Sequence, residues 1–255
     1  MTPLFRRKRP PIERPPTPPL ALAGGVGPGD YWKIGEDTVD LIADLAGLRR
    51  WDRVLDIGCG LGRVAWPLSH RLGRYGKYVG FDVALPYIEW CLYVLKLDPL
   101  RFKFEHIPVR SSSYNPGGAM APQDFRFPWN ERSFDLVVAT SLFTHLLPEA
   151  LETYLREVRR VLARRGRLFA SFFLVDEESS KVIETRTTYP HFLARREWGW
   201  LQDAAVPEEG VAFDRHWLME RLAGAGLTVE DVSLGSWRGK PSRYYQDVIV
   251  ARPRR

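Results

Sequence analysis

Two carboxylates and three alternate glycines carry the first sign of chemistry in this 255-residue chain. Asp56 stands in the apolar run Val54-Leu55-Asp56-Ile57, followed by Gly58-Cys59-Gly60-Leu61-Gly62; Asp82 closes the run Lys77-Tyr78-Val79-Gly80-Phe81-Asp82. Glycines at that spacing let a strand bend sharply into a helix and leave the backbone free to lie against a ligand, while the helix offers unpaired N–H groups to a carboxylate or anion. An acid at the tip of the following strand is placed to accept hydrogen bonds from a ribose diol. Dinucleotide sites use G-x-G-x-x-G to hold a pyrophosphate, whereas this run is G-x-G-x-G with a carboxylate ahead of it. Asp56 repels phosphate and suits an ammonium, so the pattern predicts a ligand with a ribose and a zwitterionic end, such as S-adenosylmethionine.

The elements needed to hold these groups are legible around them. Strands are predicted over 53–58, 77–82, 102–107, 135–141 and 166–175, with helices over 62–72, 85–95 and 148–162 between them. A helix from about Val39 ends near Gly47. After an insertion at 176–213 come a helix over 214–223 and strands over 228–236 and 246–252, the last two separated by a loop and so antiparallel. Strands alternating with helices predict an α/β, Rossmann-like doubly wound, mostly parallel seven-stranded sheet with helices on both faces and an antiparallel last strand. Residues 1–30 read as a Pro/Arg-rich arm, extended or disordered, since the first twenty residues hold seven prolines and few large apolar groups. Residues 31–255 form the domain, with 176–213 as a candidate acceptor lid.

At the glycine run the sequence resembles the class I S-adenosylmethionine-dependent methyltransferases, and the likeness continues through Phe134-Asp135-Leu136-Val137-Val138 and Arg159-Arg160-Val161-Leu162 to Gly166, over roughly residues 30 to 175. The resemblance implies S-adenosylmethionine as cofactor. It puts Asp56, Gly58 and Gly60 at the methionine and sulfonium end, with Cys59 and Gly62 in the same turn, Asp82 on the ribose hydroxyls, Val83 beside the adenine, and Thr140 and Ser141 facing the reactive methyl. The acid that family members often carry after the third strand is absent from His106-Ile107-Pro108-Val109, which leaves the adenine amino group unassigned. Arg165-Gly166 replaces the usual Pro-Gly and is expected to keep a glycine cap after the helix. A weaker likeness, carried by Ser141-Leu142-Phe143-Thr144-His145-Leu146, Tyr114-Asn115-Pro116-Gly117 and Tyr245-Gln246-Asp247-Val248, points to a bacterial subgroup linked to O-methylation of glycans or small molecules. N- or C-methylation of a small metabolite and cofactor binding without catalysis remain the alternatives.

His145, just beyond the fourth strand, is the candidate general base for an acceptor hydroxyl, or else a residue closing the start of the next helix. His191 and His216 are second choices. Tyr189, Phe192, Trp198, Trp200 and Trp217 in and beside the insertion are read mainly as its own core, with stacking on an acceptor as the other reading. The run Arg156, Arg159, Arg160, Arg164, Arg165 and Arg167 is read as a solvated face.

Bulk properties narrow the class. The net charge of +6 is exceeded by Arg6, Arg7, Lys8, Arg9 and Arg14 with Arg252, Arg254 and Arg255, so the body is near neutral and no nucleic acid partner is expected. Cys59 and Cys91 are too few for a disulfide framework or a zinc cluster; no metal is expected, and a cytoplasmic setting fits. No apolar run is long enough to span a membrane, and stable insertion is not expected. The acceptor and the oligomeric state are not written in the sequence.

Overall fold

The computed structural model describes residues 13–23, 29–187 and 189–254. Much of the proposed arm, 1–12 and 24–28, lies outside these. Within it, α1 (Leu20–Ala23) packs Leu22 and Ala23 against Tyr31 and Trp32, and Arg14 pairs with Asp30 and Glu36.

Helix α2 (Tyr31–Ala46) starts earlier than its apolar periodicity indicates, because Asp30 caps it, accepting from the Trp32 and Lys33 amides. It ends at Gly47 in the left-handed conformation, as expected. Then follow β1 (Arg53–Ile57), α3 (Ala65–Arg71), β2 (Lys77–Asp82), α4 (Leu85–Trp90) continued by a π-turn at Cys91–Leu95, β3 (Phe102–His106), β4 (Phe134–Ala139), α5 (Pro148–Val161) and β5 (Leu162–Phe172). The strand expected over 166–175 is split, β5 being followed by a separate β6 (Leu174–Val175); then come α6 (Glu177–Glu184), β7 (Ala194–Arg196), β8 (Gly199–Leu201) and β9 (Val211–Asp214) across the insertion, and α7 (Arg215–Gly224), β10 (Leu227–Ser233) and β11 (Asp247–Pro253) complete the described elements.

The main sheet has the order β10-β11-β5-β4-β1-β2-β3. Its first five strands in the chain run parallel, and β11 lies antiparallel between β5 and β10. This is the expected seven-stranded, Rossmann-like sheet. β4, central and covered on both faces, is apolar but for Asp135, as a buried parallel strand is expected to be, and β1 beside it buries Val54, Leu55 and Ile57 around the single acid Asp56. One face packs Leu55, Ile57, Val137 and Phe172 against α5 and α7; the other packs Val54, Tyr78 and Val138 against α2 and α3.

Three local expectations are corrected. Helix α3 begins at Ala65 rather than Gly62, because residues 58–64 are taken up by the glycine turn. Gly166 is not a helix cap: α5 runs straight into β5, and the glycine sits inside that strand, where a Cβ would lie 2.9 Å from the Ala163 carbonyl. Arg167 is not on a solvated face. Its guanidinium is 1% exposed and bonds Asp52, the Ala46 and Gly47 carbonyls and the Asp135 carbonyl, pinning the end of α2 to the sheet.

The insertion builds a second, four-stranded sheet, β6-β9-β8-β7, onto the short β6 that precedes it. Most of its aromatics pack there: Phe213 and Trp217 stack at 5.5 Å, Trp198 lies beside both, and Phe192 is buried with Phe173 and Trp237. Tyr189 alone of the group is largely exposed, at 72%.

Candidate active site

Gly58, Gly60 and Gly62 all have positive φ, at 70°, 53° and 76°, the region that side chains resist. Their reasons differ. At Gly62 a Cβ would meet Leu95 Cδ1 at 2.3 Å, so this glycine admits the π-turn after α4. At Gly58 it would touch Leu142 Cδ1 at 3.2 Å, which shows that the turn after β4 lies over this glycine. At Gly60 nothing lies within 4 Å: there the backbone is bare toward open space.

The two acids flank that bare backbone. Asp82 Oδ2 accepts from the Gly60 amide and Oδ1 from the Ala84 amide, both at 2.9 Å, so the carboxylate is locked in orientation while each oxygen keeps a lone pair. Burial raises its pKa, and these backbone bonds oppose the rise. Asp56 is 1% exposed; Oδ2 accepts from the Tyr78 hydroxyl at 2.7 Å, and Oδ1 is buried without a partner. Burial raises its pKa to about 7, the Tyr78 bond working against the shift. An orphaned carboxylate oxygen of this kind lacks a cation or donor.

A cation stands nearby that the sequence reading passed over. Arg63, directly after Gly62, lies over the Tyr31 ring at 5.7 Å, and among the described residues its guanidinium has no ion pair or hydrogen bond. Burial lowers its pKa, with Tyr31 and Asp56 pulling the other way. A basic residue immediately after the third glycine was the available signal; that it stays unpaired is a tertiary fact.

The remaining candidates separate. Cys59 has its amide on the Phe81 carbonyl, its own carbonyl on the Gly62 amide, and its thiol turned to the Gly60 carbonyl, which Cys91 also addresses. Burial pushes this thiol up, so Cys59 shapes the turn from within. The Val83 carbonyl faces His106 Nε2 at 3.1 Å. Thr140 follows β4 directly, and Ser141, at φ 54°, donates its amide to Ser171 Oγ.

His145 ends a single 3-10 turn, Phe143–His145, held over by the insertion. Its Nδ1 lies 2.9 Å from the Glu208 carbonyl, and since a carbonyl only accepts, Nδ1 carries the proton and Nε2 holds a free lone pair. Burial lowers its pKa, which keeps the ring neutral near pH 7. The Glu208 carboxylate in turn takes the Ser112 amide and hydroxyl, both at 2.7 Å, and Tyr114 meets the imidazole edge-on at 5.8 Å. A cavity of about 220 Å³ lies beside this latch, between Arg110, Gln123, Leu146, Glu149 and Glu208. A second, of about 340 Å³, lies at Asp176, Asp214 and His216, and none of its lining residues belongs to the glycine turn. His216 is exposed and paired with Glu220, and His191 is exposed beside Tyr189. Among the described residues no group of three His, Cys, Asp or Glu side chains is arranged to hold a metal, and no helix is long and apolar enough to cross a membrane.

Residues 55–168 match a family model described as a methyltransferase domain. The demethylmenaquinone methyltransferase of Lactococcus lactis is 30% identical over 139 residues, 54% of this chain; the matched segment spans just under half, 46%, of that protein. A protein from Pyrococcus horikoshii superposes with a TM-score of 0.59 at 17% identity, covering 89% of this chain and 93% of its own. The 1,6-didemethyltoxoflavin-N1-methyltransferase of Burkholderia thailandensis, solved with its 1,6-didemethyltoxoflavin and S-adenosylhomocysteine, superposes with a TM-score of 0.54 at 19% identity, covering 88% and 79%. The chain has the Rossmann-like methyltransferase fold, with its glycine turn inside the matched domain.

Proposed function

We propose that this protein is an S-adenosylmethionine-dependent methyltransferase acting on a hydroxyl of a small molecule or sugar. The observation that carries the reading is the bare backbone at Gly60 set between a locked Asp82 and an Asp56 whose Oδ1 has no partner. The residues fit the cofactor group by group. Asp82 accepts the two ribose hydroxyls on its free lone pairs; Asp56 Oδ1 accepts the methionine ammonium; Arg63 pairs with the methionine carboxylate. When bound, S-adenosylmethionine supplies a methyl group activated by its sulfonium.

The chain's own part in the transfer is alignment and proton removal. Ser141 and Leu142, at the turn over Gly58, border the place where an acceptor oxygen meets the methyl. His145 Nε2, unprotonated because the Glu208 carbonyl holds the proton on Nδ1, takes the hydroxyl proton as the oxygen becomes bonded to carbon. Glu208 and Ser112 tie the insertion to the 108–120 loop. The free thiols of Cys59 and Cys91 fit a reducing compartment.

Incubation with methyl-labelled S-adenosylmethionine and a panel of sugars, phenols and hydroxy acids tests the reading. Label recovered as a methyl ether supports it; label on nitrogen or carbon replaces the hydroxyl assignment; absence of transfer to any acceptor class despite tight cofactor binding contradicts catalysis.

A further inference from the structure

Gln246 immediately precedes β11, whose first residue, Asp247, pairs with Phe172 at the end of β5; the glutamine therefore sits at the carboxyl edge of the sheet, beside the turn after β4. Its Oε1 accepts from Ser141 Oγ at 3.0 Å and from Ser171 Oγ at 2.6 Å. Ser171 Oγ also accepts from the Ser141 amide at 2.7 Å, and its 2.6 Å separation from Gln246 is the length of an O–H···O bond, short for an N–H donor. That fixes which end of the carboxamide faces the serines: the oxygen does, and the nitrogen points away. Among the described residues the Nε2 group has no partner for either N–H.

Three strands thus contribute to a polar device with one free end. Ser141 holds a left-handed backbone, φ 54°, that a serine adopts only where its surroundings impose it, and such strain gathers at functional positions. The next residue, Leu142, covers Gly58 of the glycine turn, so Gln246 is joined through Ser141 to the loop that lies over that turn. Among the described residues no charge shares the device: the Asp247 carboxylate is taken up by the Trp237 indole and the Gly235 and Leu174 amides, Arg243 pairs with Asp44, and Arg238 with Asp176. An amide donor with no cation beside it suits a neutral oxygen better than a carboxylate.

We infer that Gln246 is a specificity-determining residue for the acceptor: its carboxamide N–H groups bind an uncharged hydroxyl or carbonyl oxygen of the acceptor, next to the atom that receives the methyl. The inference rests on the methyltransferase reading and adds to it the polarity of the acceptor's neighbouring group. Ser141 and Ser171 act through Gln246 as positioning residues.

The test uses the full chain with 15N-labelled glutamine, saturated with S-adenosylhomocysteine. The Gln246 side-chain amide pair is assigned by its loss in Gln246→Ala, and catechol, methyl β-D-glucopyranoside, N-methylacetamide and benzoate are titrated in turn. The expected result is a saturable shift of that pair with at least one neutral probe, and about fivefold weaker binding of the same probe by Gln246→Ala, as one lost hydrogen bond implies. Gln246→Glu, which keeps oxygens for the two serines and lacks the donor, should match Gln246→Ala, and both should bind S-adenosylhomocysteine within twofold of wild type. No shift with any neutral probe, or a shift with benzoate alone, overturns the inference while leaving the cofactor reading intact. Failure of wild type to bind S-adenosylhomocysteine removes both, and is seen before any probe is added.

Discussion

Asp56→Asn trades affinity for stability, and the sign of each half follows from the buried carboxyl. In the free protein Asp56 titrates at about 7 because it is buried, against 3.8 for the ordinary group. The folded state therefore holds a proton that the unfolded chain releases, and stability falls as pH rises from about 4 to about 7, then levels. At ~1.36 kcal/mol per unit the ceiling of that loss is about 4 kcal/mol. Asparagine has the same shape, keeps an oxygen for the Tyr78 hydroxyl and cannot ionise. At pH 8 it should raise the stability of the free protein by about half the ceiling, roughly 2 kcal/mol, or about 4–8 °C in Tm for a domain of this size. At pH 4.5 the gain should vanish. Affinity for S-adenosylhomocysteine moves the other way: the ammonium loses a charged partner worth about 1.5–3 kcal/mol, a fall of roughly 10- to 100-fold. Wild-type affinity should itself rise between pH 6 and 8, as deprotonation of Asp56 is linked to binding. Thermal melts at the two pH values and calorimetric titration at pH 8 read all of this. A variant that melts no higher than wild type at pH 8, or binds S-adenosylhomocysteine equally well, refutes the reasoning.

Arg63→Met should weaken S-adenosylhomocysteine by about 10-fold or more, yet leave 5′-methylthioadenosine, which lacks the amino-acid carboxylate, within about twofold; equal losses by calorimetry would show a structural role instead. Gly62→Ala should cost about 1–3 kcal/mol in denaturant unfolding through its collision with Leu95, whereas Gly60→Ala, with open space around it, should cost about 1 kcal/mol of backbone strain and mainly reduce cofactor affinity. Arg167→Met leaves Asp52 charged and buried and should destabilise by about 3–5 kcal/mol, read as a lower denaturation midpoint. His145→Gln should reduce turnover about 10²-fold or more and remove the acidic limb of its pH profile; an unchanged profile would make the histidine structural.

How much of this was legible depended on how far apart the partners lie. The glycine turn could be read because each step is local: a strand end, a bend only glycine accepts, an acid on the neighbouring strand. The mostly parallel, seven-stranded sheet with its antiparallel last strand followed from alternation and connection handedness, whereas the order of its strands came only with the structure. The second sheet could not be read, since β7 and β8 have three residues each, too few to show a period of two. Arg167 looked like one of a solvated run because its partner Asp52 lies 115 residues earlier, and the Ser141–Gln246 contact spans 105. The tautomer of His145 depends on a backbone carbonyl 63 residues away, which no side-chain pattern announces.

The central claim is that Asp82 and the bare glycine turn bind the nucleoside of S-adenosylmethionine. Calorimetric titration of wild type and Asp82→Ala with S-adenosylhomocysteine tests it most directly, with thermal melts to show that the variant is folded. Micromolar binding by wild type that is lost in a folded Asp82→Ala is the predicted result. No binding by wild type, or binding that survives the substitution, contradicts it.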